Sequence, residues 1–117
     1  MTLRECYDLL GGSYTDVIGR LQSERLVQKY VLKFLDDRSF DTLMDAIARK
    51  DGEEAFRAAH TIKGMCQNLS FDRLYRSSHD LAECLRGGGW DEAAVALAGQ
   101  VKTDYEVTTA AIRQLDA

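Results

Sequence analysis

The chain has 117 residues, with nine glycines, three cysteines and no proline, and fifteen basic against nineteen acidic side chains leave it at net −4. That length fits one domain, 1–117, able to bury roughly two thirds of its unfolded surface. No apolar run approaches the roughly eighteen residues of a membrane span, no basic patch suggests nucleic acid, and two histidines without paired cysteines do not make a structural zinc site.

The absence of proline and the spacing of apolar residues predict helices throughout. A short helix covers Thr2 to Leu10, with Thr2 and Glu5 forming a capping box. Gly11-Gly12 turns the chain, and a second short helix runs from Tyr14 to Arg20 after Ser13. From Ser23, the residues Leu26, Val27, Tyr30, Val31, Phe34 and Leu35 recur at the spacing of one helical face. Asp36-Asp37-Arg38-Ser39 interrupts that pattern, and Ser39 caps a helix that turns Phe40, Leu43, Met44 and Ile47 inward. Lys50-Asp51-Gly52 is the next turn. Glu53 and Glu54 favour the positive end of the following helix, which reaches Leu69.

Phe71 and Asp72 open another helix, with Leu74, Ser78, Leu81 and Leu85 inside, and Gly87-Gly88-Gly89 ends it. The last helix starts after Trp90, with Asp91 as cap, and runs to Leu115. Ala94, Leu97, Val101, Tyr105, Thr108, Ile112 and Leu115 repeat along it. The four longest helices suit an all-α, antiparallel four-helix bundle over about 23–115, and the short helices of 1–21 cap one end. Trp90 is expected to pack over a hairpin end, Tyr105 in the core, and Cys84 at its border. Cys6, Cys66 and Cys84 are odd in number and far apart, and the amino terminus has no export signature. Both features point to reduced thiols and the cytoplasm.

The segment Phe56 to Leu69 carries the most information. With His60 at zero and about 100° per residue, Ala55, Ala58, Ala59, Ile62, Cys66 and Leu69 fall between about 160° and 260°. His60 lies almost opposite this apolar stripe, on the solvent side. Lys63 and Gly64, three and four residues on, neighbour it, Gln67 extends the face by a turn, and Phe56 lies one turn before.

These residue types suit a phosphoryl acceptor. A free imidazole has a pKa of about 6.5, so near pH 7 much of it is neutral and nucleophilic. Lys63 places positive charge near phosphoryl oxygens, and Gln67 can donate an amide hydrogen bond. Gly64 lowers the side-chain wall so that another protein's loop can approach. Its cost inside a helix, about 1 kcal/mol against alanine, has no purpose in a mere support helix. Phe56 reads as an exposed docking contact, and Arg57 with Lys63 makes the face locally positive. Phe56, Arg57, His60, Lys63, Gly64 and Gln67 together form a transient protein interface.

The segment His60-Thr61-Ile62-Lys63-Gly64, followed by Cys66, Asn68 and Leu69, resembles the phosphoacceptor motif of the histidine phosphotransfer (HPt) domain family. The likeness extends from Leu26 to Leu115. It implies that His60 is the residue phosphorylated, Lys63 its charge partner and Gly64 the small residue that opens the site, with Ala59, Ile62 and Leu69 as apolar support. It also implies a phosphoryl carrier of a two-component phosphorelay, without kinase activity of its own. Its partners are then a response-regulator receiver domain, a hybrid sensor histidine kinase, or both. No cofactor is expected on this chain, and Mg²⁺ is expected on the receiver.

Two positions depart from the family pattern. Ser70 stands where glycine is common, ten residues beyond the histidine, and Ala82 falls where some members place a glutamine facing it. Two other functions compete. A non-catalytic helical interaction module would use the same surface. A hydrolase pairing Cys66 with His60 is disfavoured, because about 120° separates them and Cys66 lies in the apolar stripe. His79, about 130° from its helix's apolar stripe, reads as a solvated residue.

Overall fold

A computed structural model describes residues 1–115. Among them are seven helices and no strand: α1 (Leu3–Leu10), α2 (Tyr14–Leu21), α3 (Glu24–Phe34), α4 (Ser39–Ala48), α5 (Gly52–Leu69), α6 (Asp72–Cys84) and α7 (Ala93–Leu115). Local chemistry sets most of the boundaries. Thr2 and Glu5 form the full capping box, with the Thr2 amide donating to Glu5 Oε1 at 2.8 Å and the Glu5 amide to Thr2 Oγ1 at 3.1 Å. Ser13, Ser23 and Asp51 accept from the amides three residues on and start α2, α3 and α5. Asp91 Oδ1 accepts from the Ala93 amide at 2.9 Å and starts α7.

One predicted cap is displaced. Ser39 is the first residue of α4 rather than its cap, and its own amide donates to Asp37 Oδ2 at 2.8 Å. Asp37 sits two residues upstream with a longer reach, so it takes the acceptor role.

The bundle is antiparallel, with α5, α6 and α7 as three of its columns. The fourth column is shared, since α3 and α4 follow one another along α5 with the break at Leu35–Arg38. Tyr30, Lys33 and Phe34 line one groove with Met65, Asn68 and Leu69, and Asp36, Asp37, Ser39 and Thr42 line a second with Arg57, Ala58 and Thr61. The inner face of α3 is Val27, Val31 and Phe34. Leu26 and Tyr30, expected inside, stay 40% and 42% exposed. Each lies one residue before a core position, and α3 stands off from α5 by a groove of about 590 Å³, so its flank is uncovered.

Aromatic rings knit the end of the bundle where α5 turns into α6. Phe71, fully buried, meets Phe34 edge-on at 5.2 Å and Tyr7 at 5.7 Å. Tyr105, expected in the core, is half-buried at its edge, where it packs against the core and stacks on Phe40 at 3.9 Å. At the other end the N-terminus of α5 rests on the glycine turn. A Cβ on Gly52 would come within 2.7 Å of Gly88 O and Gly89 O, and Gly87 and Gly88 hold φ of 99° and 87°. Trp90 is half-buried against the core beside this turn, and its indole N–H donates to Glu92. No helix among the described residues is long and apolar enough to cross a membrane.

Candidate functional site

Helix α5 presents the site because its other side is fixed. Ala55, Ala58, Ala59, Ile62, Cys66 and Leu69, the predicted stripe, are all buried, and His60 projects to solvent opposite them. The imidazole is not bare on every side. Phe56, one turn earlier, stacks on it with ring centres 5.8 Å apart and planes 23° apart. Phe56 itself is half-buried and packs on the core, so it braces the imidazole more than it offers a free docking ring.

Lys63 is half-buried and Gln67 exposed on the same face. The polar contacts of α5 include Arg57 with Glu53 and Thr61 Oγ1 donating to Arg57 O. The side chains of His60, Lys63 and Gln67 make no hydrogen bond or ion pair among the described residues. Around Gly64 the space is open, with no atom of a neighbouring element or side chain within 4 Å of where a Cβ would stand. The wall beside His60 is therefore low, as the residue type suggested.

Arg57 is exposed, and its guanidinium pairs with Glu53 at 2.9 Å. A further cation, which sequence periodicity did not single out, lies in the turn that follows α6. The Arg86 guanidinium lies 5.9 Å from the centre of the Phe56 ring and is hydrogen-bonded to Glu83. Arg86 holds the Glu83 carboxyl below the usual carboxylate range, and His79 and Lys63 pull it further in the same direction. An antiparallel register counted outward from the Ser70–Phe71 turn sets Glu83 opposite Ala58 and Arg86 opposite Ala55, within a turn of His60 and Phe56.

Ala82 is buried, so it does not face His60 in place of the family's glutamine, and the outward positions beside it belong to Glu83 and Arg86. His79 is half-buried rather than solvated. Its ring stacks on Tyr75 at 5.9 Å, and its Nδ1 is enclosed without a partner. The buried face of α6 is wider than its leucines indicated, because Ser77, Ser78 and Ala82 also lie inside and draw one edge of His79 with them. Cys66 is fully buried, and burial pushes its thiol pKa up. It cannot act as a nucleophile partnered by His60, which points the other way. Cys84 is half-buried, as expected at the core border.

Ser70 ends α5 in the left-handed region, at φ 57° and ψ 41°. Arg20 Nη1 donates to its Oγ at 3.0 Å and to Asn68 O at 2.7 Å, and the Ser13 amide donates to Ser70 O at 2.9 Å. Serine makes the turn that glycine commonly makes, with the N-terminal helices tied to it. Among the described residues no three His, Cys, Asp or Glu side chains gather into a group able to hold a metal ion.

Curated proteins and solved structures offer no match to this chain. A family model does match: the Hpt domain, over residues 31–117, which takes in the α3–α4 column from Val31, the His60 face of α5, Glu83 of α6 with Arg86 in the turn after it, and the whole of α7. With a helical bundle, a solvent-facing histidine and that match in agreement, the chain belongs to the Hpt domain family, whose members carry out histidine phosphotransfer in phosphorelays and interact with receiver domains and histidine kinases.

Proposed function

We propose that this chain is a phosphoryl carrier that accepts phosphate on His60 and exchanges it with an aspartate of a receiver domain. The observation that carries the reading is the exposed imidazole of His60, without a hydrogen bond or ion pair among the described residues, with the open space of Gly64 beside it and Lys63 on the same face. A ring nitrogen of neutral His60, by analogy Nε2, attacks the phosphorus of an aspartyl phosphate. The P–O bond breaks, its electron pair returns to the aspartate carboxylate, and a P–N bond forms. The reverse step delivers the group onward.

In-line alignment and charge neutralisation are the main demands of such a transfer. Phe56 limits rotation of the imidazole, Lys63 faces the phosphoryl oxygens, and Gly64 admits the receiver's loop. Gln67 and Arg57 lie at the rim of the contact. The receiver supplies the acceptor carboxylate and its Mg²⁺, and a hybrid sensor kinase carrying a phosphorylated receiver is an equivalent donor. Three unpaired thiols suit a chain that works in the cytoplasm.

The test is transfer from a labelled phospho-receiver to the wild type and to His60→Gln. An acid-labile label on the wild type alone is expected. Binding of the receiver with no label on either protein would favour a non-catalytic interaction module, and equal labelling of both would remove His60 as the acceptor.

A further inference from the structure

One pair on the His60 face has no part in the transfer described above. Glu83 and Arg86 are joined by two hydrogen bonds, Nε to Oε2 at 3.0 Å and Nη2 to Oε1 at 2.5 Å. This forked contact is also the geometry in which guanidinium grips phosphate. Arg86 lies over the Phe56 ring, and Phe56 stacks on His60, so arginine, aromatic and imidazole follow one another across the α5–α6 surface. Glu83 feels Lys63 as well. One carboxylate therefore engages two cations of this surface, Arg86 by contact and Lys63 at longer range.

The fold has little use for this pair. Its side chains are 58% and 42% exposed, and ion pairs so placed add little to stability. We propose that Glu83 is a resident stand-in for the phosphoryl group. It holds Arg86 while His60 is unmodified and yields the guanidinium to the phosphoryl oxygens once the P–N bond has formed. This rests on the reading of His60 as acceptor and adds a control to it, because competition between Glu83 and the phosphoryl group for Arg86 sets how long the phosphoryl group stays.

The sign follows from the chemistry of loss. Water attacks phosphorus, the P–N bond breaks, its electron pair returns to the ring nitrogen with a proton, and inorganic phosphate leaves. Water, unlike the receiver's carboxylate, brings no negative charge that must be neutralised as it approaches. In a loose transition state charge moves from the phosphoryl oxygens toward the leaving nitrogen, so in hydrolysis a cation on those oxygens favours the intact phosphohistidine. Freeing Arg86 from Glu83 slows hydrolysis, and removing Arg86 speeds it.

The experiment phosphorylates the full chain with phosphoramidate, without any protein partner, and follows phosphohistidine decay. Glu83→Gln is expected to lengthen the half-life about two- to five-fold, the scale of exposed charge pairs, and Arg86→Gln to shorten it by a similar factor. The double variant should decay like Arg86→Gln, Arg86→Lys should fall between it and wild type, and added salt should narrow all the differences. Both side chains are exposed, and unchanged helical circular dichroism checks the fold. The proposal is overturned if Glu83→Gln decays as fast as wild type or faster, if Arg86→Gln leaves the half-life unchanged, or if the Glu83→Gln gain survives in the double variant. A wild type that takes no label, or a His60→Gln variant that takes as much, overturns instead the acceptor reading beneath it.

Discussion

The C-terminal end of α5 is tied down by groups from the first twenty residues, whereas in the middle of the same helix the side chains of His60, Lys63 and Gln67 make no hydrogen bond or ion pair among the described residues. At the end, Tyr7 Oη donates to Leu69 O at 2.7 Å, Arg20 to Asn68 O and Ser70 Oγ, and the Ser13 amide to Ser70 O. In the middle, His60 and Gln67 stand in solvent and Gly64 faces open space. The tied end lies partly outside the family match, since the residues that grip it precede position 31. Satisfying a polar group fixes it, and leaving one free keeps its bonding capacity for a partner. One rigid helix can do both because the buried stripe and the end contacts hold its axis while the outer face is spared.

The firmest break of the tied end is Tyr7→Ala. Tyr7 is fully buried, its ring packs on Phe71, and its hydroxyl satisfies the Leu69 carbonyl. Its loss is expected to cost about 3–5 kcal/mol in urea unfolding, the range for truncating a large buried aromatic. Labelling of His60 per folded molecule should stay near wild type. A labelling loss beyond the unfolded fraction would mean that the two regions of α5 are not separable.

A pair of glycines sharpens the comparison at smaller scale. Gly52→Ala drives a Cβ into the backbone of Gly88 and Gly89, and should destabilise by about 1–3 kcal/mol. Gly64→Ala meets nothing and should stabilise by up to about 1 kcal/mol through helix propensity. Its effect appears elsewhere: transfer from a phospho-receiver should slow, while labelling by phosphoramidate, which needs no docked loop, should not. Equal slowing with both donors would show that Gly64 acts on the imidazole rather than on access.

The outer face of α5 was legible because periodicity is a local property. The six stripe residues fixed where His60 points, the Thr2 cap fixed where α1 begins, and Ser13 and Ser23 marked the starts of the next two helices. Contacts that depend on how helices meet were not legible in this way. Glu83 and Arg86 reach the site only through the way α6 and the turn after it lie on α5, and Tyr7, Arg20 and Ser13 reach theirs across 48 to 62 positions. Leu26 and Tyr30 failed for a related reason. A stripe can be read from one helix, but its width depends on what covers it, and α3 is fully buried along Val27, Val31 and Phe34.

Ser70 gives the finest test, because two effects oppose each other in one residue. A side chain in the left-handed region costs roughly 1–2 kcal/mol that glycine avoids, while the hydroxyl contributes about 0.5–1.5 kcal/mol through Arg20. Ser70→Gly exchanges the second for relief of the first and should lie within about 1 kcal/mol of wild type. Ser70→Ala loses the hydrogen bond without relief and should fall below both. In an Arg20→Ala background, where the bond is already gone, Ser70→Gly should stabilise outright, and a double-mutant cycle on urea midpoints isolates the difference. If Ser70→Gly and Ser70→Ala instead lose equally in the wild-type background, the hydroxyl alone governs the turn. The left-handed backbone would then cost serine nothing there, and the substitution of serine for the usual glycine would have no strain to offset.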